Sequence, residues 1–114
     1  MTKRTASIVL PPLVERALQR FVRAFAPQQV ILFGSWAKGT THDGSDVDLL
    51  IVVNLAGDSG IHTRRARQLC ADSFPRIDVV FATADEVSAA HTAKSPFLAS
   101  ILGNGLVVYE KTAE

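Results

Sequence analysis

The feature that most constrains this chain is a pair of aspartates at the start of a strongly apolar segment. Asp46 and Asp48 open the run Leu49–Val53, and a small-residue turn, Gly34-Ser35, ends an earlier apolar stretch a short spacer before them. Alternate residues of a strand share a face, so both aspartates point the same way while the residue between them points into the core. The pattern predicts a site where phosphate groups and a divalent cation lie side by side.

Length and charge limit the classes of protein to which this chain can belong. At 114 residues we expect one domain, residues 1–114, with room for one core but not for a catalytic domain plus a substrate domain. Hydrophobic residues make up 47% and charged residues 20%, which indicates a globular chain that folds. The net charge of +1 gives no field that would attract a polymeric nucleic acid, so direct binding of DNA or RNA is not expected.

Cysteine use and hydropathy indicate a cytoplasmic protein. Cys70 is the only cysteine, so no intrachain disulfide can form and a reducing compartment is the simplest interpretation. Lys3 and Arg4 precede an apolar stretch, but Pro11 and Pro12 interrupt it, so we expect no signal peptide. No apolar run approaches the length of a membrane span.

Hydrophobic periodicity predicts alternating helices and strands. A helix follows Pro11 and Pro12, because apolar residues recur at steps of three and four as far as Ala26-Pro27. Neither Val30–Phe33 nor Leu49–Val53 alternates between apolar and polar residues, which indicates strands covered by helices on both faces. The pattern therefore predicts a helix followed by two buried strands in the first half of the chain.

The second half of the chain continues the alternation. Thr83 and Glu86 match a capping box ahead of a short helix that ends near Ala90. Four further elements are predicted on similar grounds: a helix over 61–73, a strand over 76–81, a helix over 96–102 capped by Ser95 and closed by Gly103, and an edge strand over 106–109. The fold class is therefore α/β (α+β), a small mixed β-sheet packed with helices.

A third carboxylate, Asp78, interrupts an otherwise apolar strand. Burying an unpaired carboxylate is costly, so a chain that does so usually supplies a cation or several donors. If this strand lies beside Leu49–Val53, Asp78 falls next to Asp46 and Asp48, and such a cluster is best satisfied by divalent cations. Hard oxygen ligands favour Mg²⁺ or Mn²⁺ over zinc. Two such ions about 3.5–4 Å apart can activate an attacking oxygen and neutralise a leaving phosphate.

The residues around the small turn are candidate phosphate ligands. Gly34 allows the backbone to approach an anion, Ser35 offers a hydroxyl and an N–H, and Lys38 could add a point charge. Ser45 either makes local hydrogen bonds ahead of Asp46 or contacts phosphate directly.

Other side chains in the sequence have more than one interpretation. Trp36 either packs within the fold or forms an exposed ring that stacks on a base or anchors a partner. Arg64, Arg65 and Arg67 indicate a solvated helix face, with phosphate or partner binding as the alternative. His42 is expected to be a solvated loop residue, with contact to substrate as the alternative. His62 and His91 show no ligand spacing and are expected on helix surfaces.

The turn, the aspartate pair and the separate aspartate together resemble the minimal nucleotidyltransferases of the DNA polymerase β superfamily. The resemblance implies a polymerase-β-like nucleotidyltransferase fold and transfer of a nucleoside monophosphate, often AMP from ATP, to a hydroxyl. It also implies that Asp46 and Asp48 hold two Mg²⁺ ions and that Asp78 ligates one ion and deprotonates the acceptor. Gly34 and Ser35 would bind the triphosphate.

Small members of this family often act as antitoxins beside a helical HEPN partner, adding AMP to one of its tyrosine hydroxyls. The resemblance therefore implies a HEPN-type toxin as acceptor, in agreement with a chain too short to enclose an acceptor by itself. Trp36 and Lys38 stand where the family commonly has arginine. Two alternatives stay open: a non-catalytic module that masks its partner stoichiometrically, and an aminoglycoside-type nucleotidyltransferase whose missing wall a second copy could supply.

Overall fold

A mixed β-sheet with helices on both faces organises the chain. The computed structural model describes residues 2–3, 9–39, 45–54, 59–89 and 96–111. In chain order the elements are β1 Thr2–Lys3, α1 Pro12–Phe25, β2 Gln29–Phe33, α2 Ser35–Lys38, β3 Val47–Val53, α3 Ser59–Leu69, β4 Ile77–Thr83, α4 Ala84–Ala89, α5 Pro96–Asn104 and β5 Leu106–Lys111.

The strand order of the sheet is β1-β5-β2-β3-β4. β3 and β4 run parallel, whereas the other neighbouring strands are antiparallel, so the predicted mixed sheet is confirmed. The prediction of an edge strand over 106–109 is wrong, because Thr2 and Lys3 pair with Lys111 and Glu110 on the outer side of β5. Two residues are too few to show a strand pattern in the sequence.

Both faces of the central strands are buried, as the lack of alternation predicted. On one face, Leu49 and Ile51 pack with apolar residues of α1 and α3. On the other face, Leu50 and Val52 pack with residues of α4 and α5. Every residue of β3 is fully buried apart from Asp48. The polar chemistry of this strand is therefore concentrated at one position near its start.

Helix α3 ends at Leu69, four residues earlier than the sequence indicated. Arg20 of α1 donates from Nη1 to the Leu69 carbonyl at 2.9 Å and to Asp72 Oδ1 at 2.7 Å. The helix end thus gains a side-chain donor for one of its unpaired carbonyls. The hydrogen bond from Arg20 also holds the pKa of Asp72 below its usual range.

The two helices after β4 begin as predicted and differ in how they end. Thr83 Oγ1 accepts from the Glu86 N–H at 3.1 Å, and Glu86 Oε1 accepts from the Thr83 N–H at 2.9 Å, which confirms the capping box. α5 continues through Gly103, and Gly105 closes it instead, with its N–H 2.7 Å from the Ile101 carbonyl. A Cβ at Gly105 would lie 2.6 Å from that oxygen, so the close approach needs glycine. The predicted cap at 95 lies outside the described residues.

The prediction that His62 lies on a helix surface is wrong. Its ring is half-buried and packs 5.8 Å from Phe25 and 5.5 Å from Phe81, measured between ring centroids. The side of α3 that carries His62 faces α1 and β4, which a sequence pattern without tertiary contacts does not show. His42 and His91 lie outside the described residues. Within the described residues, no helix combines the length and apolar character needed to cross a bilayer.

Candidate active site

Two of the three predicted carboxylates occupy paired positions on neighbouring strands. Asp48 on β3 pairs in parallel register with Asp78 on β4, which confirms that the third predicted strand lies beside the second. Paired residues lie on the same face of a sheet, so these two side chains are direct neighbours. Asp46 precedes β3 and is exposed. The start of β3 and the start of β4 thus bring acidic groups to one edge of the fold.

The small-residue turn lies against the Asp48 carboxylate. Gly34 has φ 76° and ψ −152°, a backbone conformation that is essentially restricted to glycine. A Cβ at Gly34 would overlap with Oδ2 of Asp48 and lie 3.2 Å from its Cγ. The backbone conformation therefore requires glycine at this position, and a Cβ there would in addition push the Asp48 carboxylate aside. Sequence reasoning assigned Gly34 to an anion but missed its contact with Asp48, which only the antiparallel pairing of Phe33 with Asp48 reveals.

Three predicted phosphate ligands lie on or beside the short helix α2. The N–H groups of Ala37 and Lys38 donate to the Gly34 carbonyl at 3.2 Å, which ties the helix to the turn. Ser35 is half-buried at the start of α2, and Lys38 is exposed at its end. A backbone N–H, a hydroxyl and an ammonium group therefore lie within one helical turn of Gly34.

Trp36 is held inside the fold instead of standing free in the turn. Its indole Nε1 donates to the Ser45 carbonyl at 2.9 Å, and its ring packs against the core that α1 shares with the sheet. This hydrogen bond joins α2 to the residue that precedes Asp46. Trp36 thereby connects the two halves of the motif, and the packing interpretation is the one that the structure supports.

The electrostatic balance of the site is unfavourable for carboxylates alone. Burial, followed by the charges of Asp78 and Asp46, raises the pKa of Asp48 above its usual range. Asp78 forms an ion pair with Arg76, whose Nη2 lies 3.4 Å from Asp78 Oδ1. Among the described residues, no group of three or more His, Cys, Asp or Glu side chains is gathered closely enough to hold a metal ion.

The donor set nevertheless fits a hard divalent cation. All three side chains offer carboxylate oxygens, which Mg²⁺ prefers. The burial of Asp48, together with the repulsion from Asp78 and Asp46, is the imbalance that a cation relieves. A metal at this edge would draw on Asp48 first, because Asp48 is central among the three, and on Asp78 in competition with Arg76.

A cleft of about 320 Å³ lies between α3 and the start of β4 and was not predicted from the sequence. Arg67, which the sequence placed on a solvated face, lines this cleft together with Arg76 and Cys70. Burial raises the pKa of the Cys70 thiol, so this cysteine is suited to packing and not to nucleophilic chemistry. Asp78 also borders the cleft.

Comparison with protein families gives a match over most of the chain. A model of the nucleotidyltransferase domain matches residues 14–96, a range that includes the turn and all three carboxylates. A comparison with curated proteins finds none with significant sequence similarity.

Solved structures share the fold at low sequence identity. One is the crystal structure of a toxin-antitoxin with AMP-PNP, with 22% identity, a TM-score of 0.59, and coverage of 86% of this chain and 74% of that chain. Another is a candidate nucleotidyltransferase from Sulfolobus solfataricus, with 18% identity, a TM-score of 0.51, and coverage of 83% of this chain and 75% of that chain. At these identities the two structures support the fold.

Replacing Gly34 should lower the free energy of unfolding more than replacing Gly39, the positive-φ glycine that follows the end of α2. Gly39→Ala has open space around it, so we expect only the left-handed backbone cost of about 1 kcal/mol. Gly34→Ala adds a stricter backbone conformation and overlap with Asp48, so we expect a loss of at least about 2 kcal/mol. Urea unfolding of both variants measures the difference. Equal losses would contradict the close contact.

Trp36→Phe should keep the ring in the core and remove only the hydrogen bond to Ser45. We expect a loss of about 1 kcal/mol in the free energy of unfolding. We also expect faster hydrogen exchange at the Val47 amide, which donates to the Arg76 carbonyl where β3 begins. Unchanged exchange at Val47 would show that Trp36 does not hold the start of β3.

Asp48→Asn should stabilise the protein at neutral pH in the absence of divalent cations. The pKa of Asp48 is higher in the folded protein than in the unfolded chain, so the protonated carboxyl group favours folding. This contribution to the free energy of unfolding is fully present below the unfolded pKa, about 3.9, and is lost as pH rises through the folded pKa. We expect the variant to be more stable at pH 7 by up to about 1 kcal/mol, since solvent screens a half-exposed group. Urea unfolding as a function of pH should show the two proteins converging in acid.

Asp72→Asn provides a control of opposite sign. The hydrogen bond from Arg20 lowers the pKa of Asp72 in the folded protein, so the ionised carboxylate favours folding. This contribution to the free energy of unfolding is present above the unfolded pKa and is lost as pH falls through the folded pKa. The Asp72→Asn variant should therefore be less stable than the wild type at neutral pH and approach it in acid. If the stability differences of both variants from the wild type changed in the same direction with pH, the assignment of a raised pKa to Asp48 would be wrong.

Proposed function

Because the chain belongs to the nucleotidyltransferase domain family, we propose that it transfers AMP from ATP to a hydroxyl of a protein partner. The observation that carries this proposal is the contact between the Gly34 turn and the Asp48 carboxylate, with Asp78 in register beside it. Nucleotidyl transfer needs a phosphate-binding turn next to acidic groups that tolerate a divalent cation. We propose that residues 1–114 act as one minimal nucleotidyltransferase domain.

Each predicted residue has a role in this proposal. Asp46 and Asp48 would hold two Mg²⁺ ions, with Asp78 as a further ligand of one ion. Magnesium, when bound, neutralises charge on the phosphates and stabilises the charge that develops during transfer. The triphosphate would be bound by the turn and its neighbours: Gly34, Ser35, Lys38 and Ser45.

The proposed reaction is an in-line displacement at the α-phosphorus of ATP. The acceptor oxygen forms a bond to the α-phosphorus, and the bond from that phosphorus to the α–β bridging oxygen breaks. Pyrophosphate leaves with the bonding electron pair, and Asp78 takes the proton of the acceptor hydroxyl. Arg76, 3.4 Å from Asp78 Oδ1, orients that carboxylate at the edge of the sheet.

The proposed acceptor is a tyrosine hydroxyl of a HEPN-type toxin, with this chain as the antitoxin. One observation supports a protein acceptor: the fold is similar to that of a toxin-antitoxin crystallised with AMP-PNP, an ATP analogue. We propose that the reaction occurs in the cytoplasm, in keeping with a single free cysteine.

A second candidate function is neutralisation of the partner by binding alone. It is favoured by the ion pair between Asp78 and Arg76 and by the lack, among the described residues, of a gathered carboxylate cluster. Under this alternative the acidic residues would be dispensable for neutralisation, whereas the enzyme needs them.

The test is the intact mass of the co-purified partner before and after incubation with Mg²⁺ and ATP. Wild-type protein should add mass in AMP-sized steps. The Asp46→Ala, Asp48→Ala double variant should add none, because it lacks two of the three proposed metal ligands. Asp85→Ala, which removes an exposed acidic residue of α4 away from the site, should retain full transfer. An unmodified partner in a tight complex with the wild type would favour the binding module.

A further inference from the structure

The acidic residues of β3 and β4 continue into an aromatic residue on β2. Phe33 pairs with Asp48 in antiparallel register, and Asp48 pairs with Asp78 in parallel register. Paired positions share a face of the sheet, so the three side chains form one row across three adjacent strands. The turn at Gly34 follows Phe33 directly, which places the phosphate-binding turn at the β2 end of this row.

A second phenylalanine extends the β2 end of the row. Phe97 in the first turn of α5 contacts Phe33, with ring centroids 6.2 Å apart and ring planes at 88°. Phe33 itself packs against the core that the sheet shares with α4 and α5. This support fixes Phe33, and the edge-to-face contact with Phe33 orients the Phe97 ring.

Phe97 is exposed although its ring contacts Phe33. Its side chain is 56% exposed, so a large part of the ring surface is in water. Leaving apolar surface in water is unfavourable, and a ligand that covered the ring would recover that free energy. Four large hydrophobic side chains are exposed in the described part of the chain, and Phe97 is the one that adjoins the row.

We propose that the exposed ring of Phe97, supported by Phe33, stacks on the base of the donor nucleotide. This inference rests on the proposed function. A nucleoside triphosphate is anionic at one end and planar and aromatic at the other. The β2 end of the row offers groups that match both ends of the nucleotide in the same spatial order. The Gly34 turn lies beside the carboxylates, and the pair of phenylalanine rings lies next to the turn.

The position of the ring pair favours the donor over the acceptor. Asp78, the proposed base for the acceptor hydroxyl, lies at the β4 end of the row, two strands away from Phe33. The rings and the triphosphate turn share the β2 end. Stacking contributes about 1–3 kcal/mol per base and is tolerant of base identity, because every base has a π-face. Phe97 is therefore expected to supply affinity and not selection among the four bases.

The test compares binding of MgATP with binding of magnesium and inorganic triphosphate, which lacks a base, to the full chain by calorimetry. Phe97→Ala should weaken ATP binding at least about fivefold, from the lower end of the stacking range, and leave triphosphate binding unchanged. Phe97→Leu keeps apolar contact with Phe33 but has no π-face, so it should behave like Phe97→Ala. Phe97→Trp should restore ATP binding. Thermal unfolding of each variant establishes that it is folded.

Ile61→Ala is a matched control, because Ile61 is an exposed hydrophobic residue of α3, outside the row. It should bind both ligands as the wild type does. Equal ATP affinity for the wild type and Phe97→Ala would overturn the inference, as would equal weakening of both ligands. Loss of partner binding with unchanged ATP binding would assign the rings to the acceptor and also overturn it.

The outcomes separate this inference from the function on which it rests. If the wild type binds neither ATP nor triphosphate, the proposed function fails and the inference fails with it. If the wild type binds both ligands with equal affinity, the base adds nothing, so the stacking site is refuted while the proposed function stands. Weaker binding of ATP, GTP, CTP and UTP to the same degree in Phe97→Ala would support stacking without base selection.

Discussion

Parallel pairing between β3 and β4 is the constraint on which the rest of the structure depends. It sets Asp48 beside Asp78, and it requires a connection that crosses over the sheet, which α3 supplies. The antiparallel pairing of β2 on the other side of β3 then brings the Gly34 turn against the Asp48 carboxylate. Residues that are far apart in the sequence become neighbours through backbone hydrogen bonding, before any side chain is considered.

The same arrangement concentrates an energetic cost at Asp48. β3 is otherwise fully buried, and its single partly exposed position carries a carboxylate that faces two others. A strand that served only the fold would gain stability from an apolar or amide side chain there. The retained charge is in keeping with the binding site proposed at Asp48, and so is the glycine-only backbone conformation of Gly34 beside it.

The sequence predicted most of the helices and strands well, because these elements depend on short-range patterns. Apolar periodicity located α1, and the uninterrupted apolar character of Leu49–Val53 correctly indicated burial on both faces. The capping box at Thr83 needed only local hydrogen bonding. The features that were missed depend on contacts across the fold: the end of α3 at the Arg20 side chain, and the burial of His62.

The candidate residues of the site were chosen from the sequence, which could not show how those residues are arranged. Three aspartates and a glycine turn could be read from spacing, whereas the contact of Gly34 with Asp48 required the register of β2 against β3. Trp36 was ambiguous in the sequence, because a packed tryptophan and an exposed one cannot be distinguished from the sequence alone. The hydrogen bond to the Ser45 carbonyl, which the fold makes possible, resolves the ambiguity. Phe97 carried no signal, since only the fold brings α5 to the end of β2.

The row that crosses β2, β3 and β4 is not equally rigid along its length. β2 and β3 are held by a strand on each side, whereas β4 is at the edge of the described sheet and has a partner on one side only. Edge strands open at a lower free energy than central ones. Fraying at β4 can therefore displace Asp78 without disturbing Gly34 and Asp48, so the two ends of the row can respond to different molecules at different times.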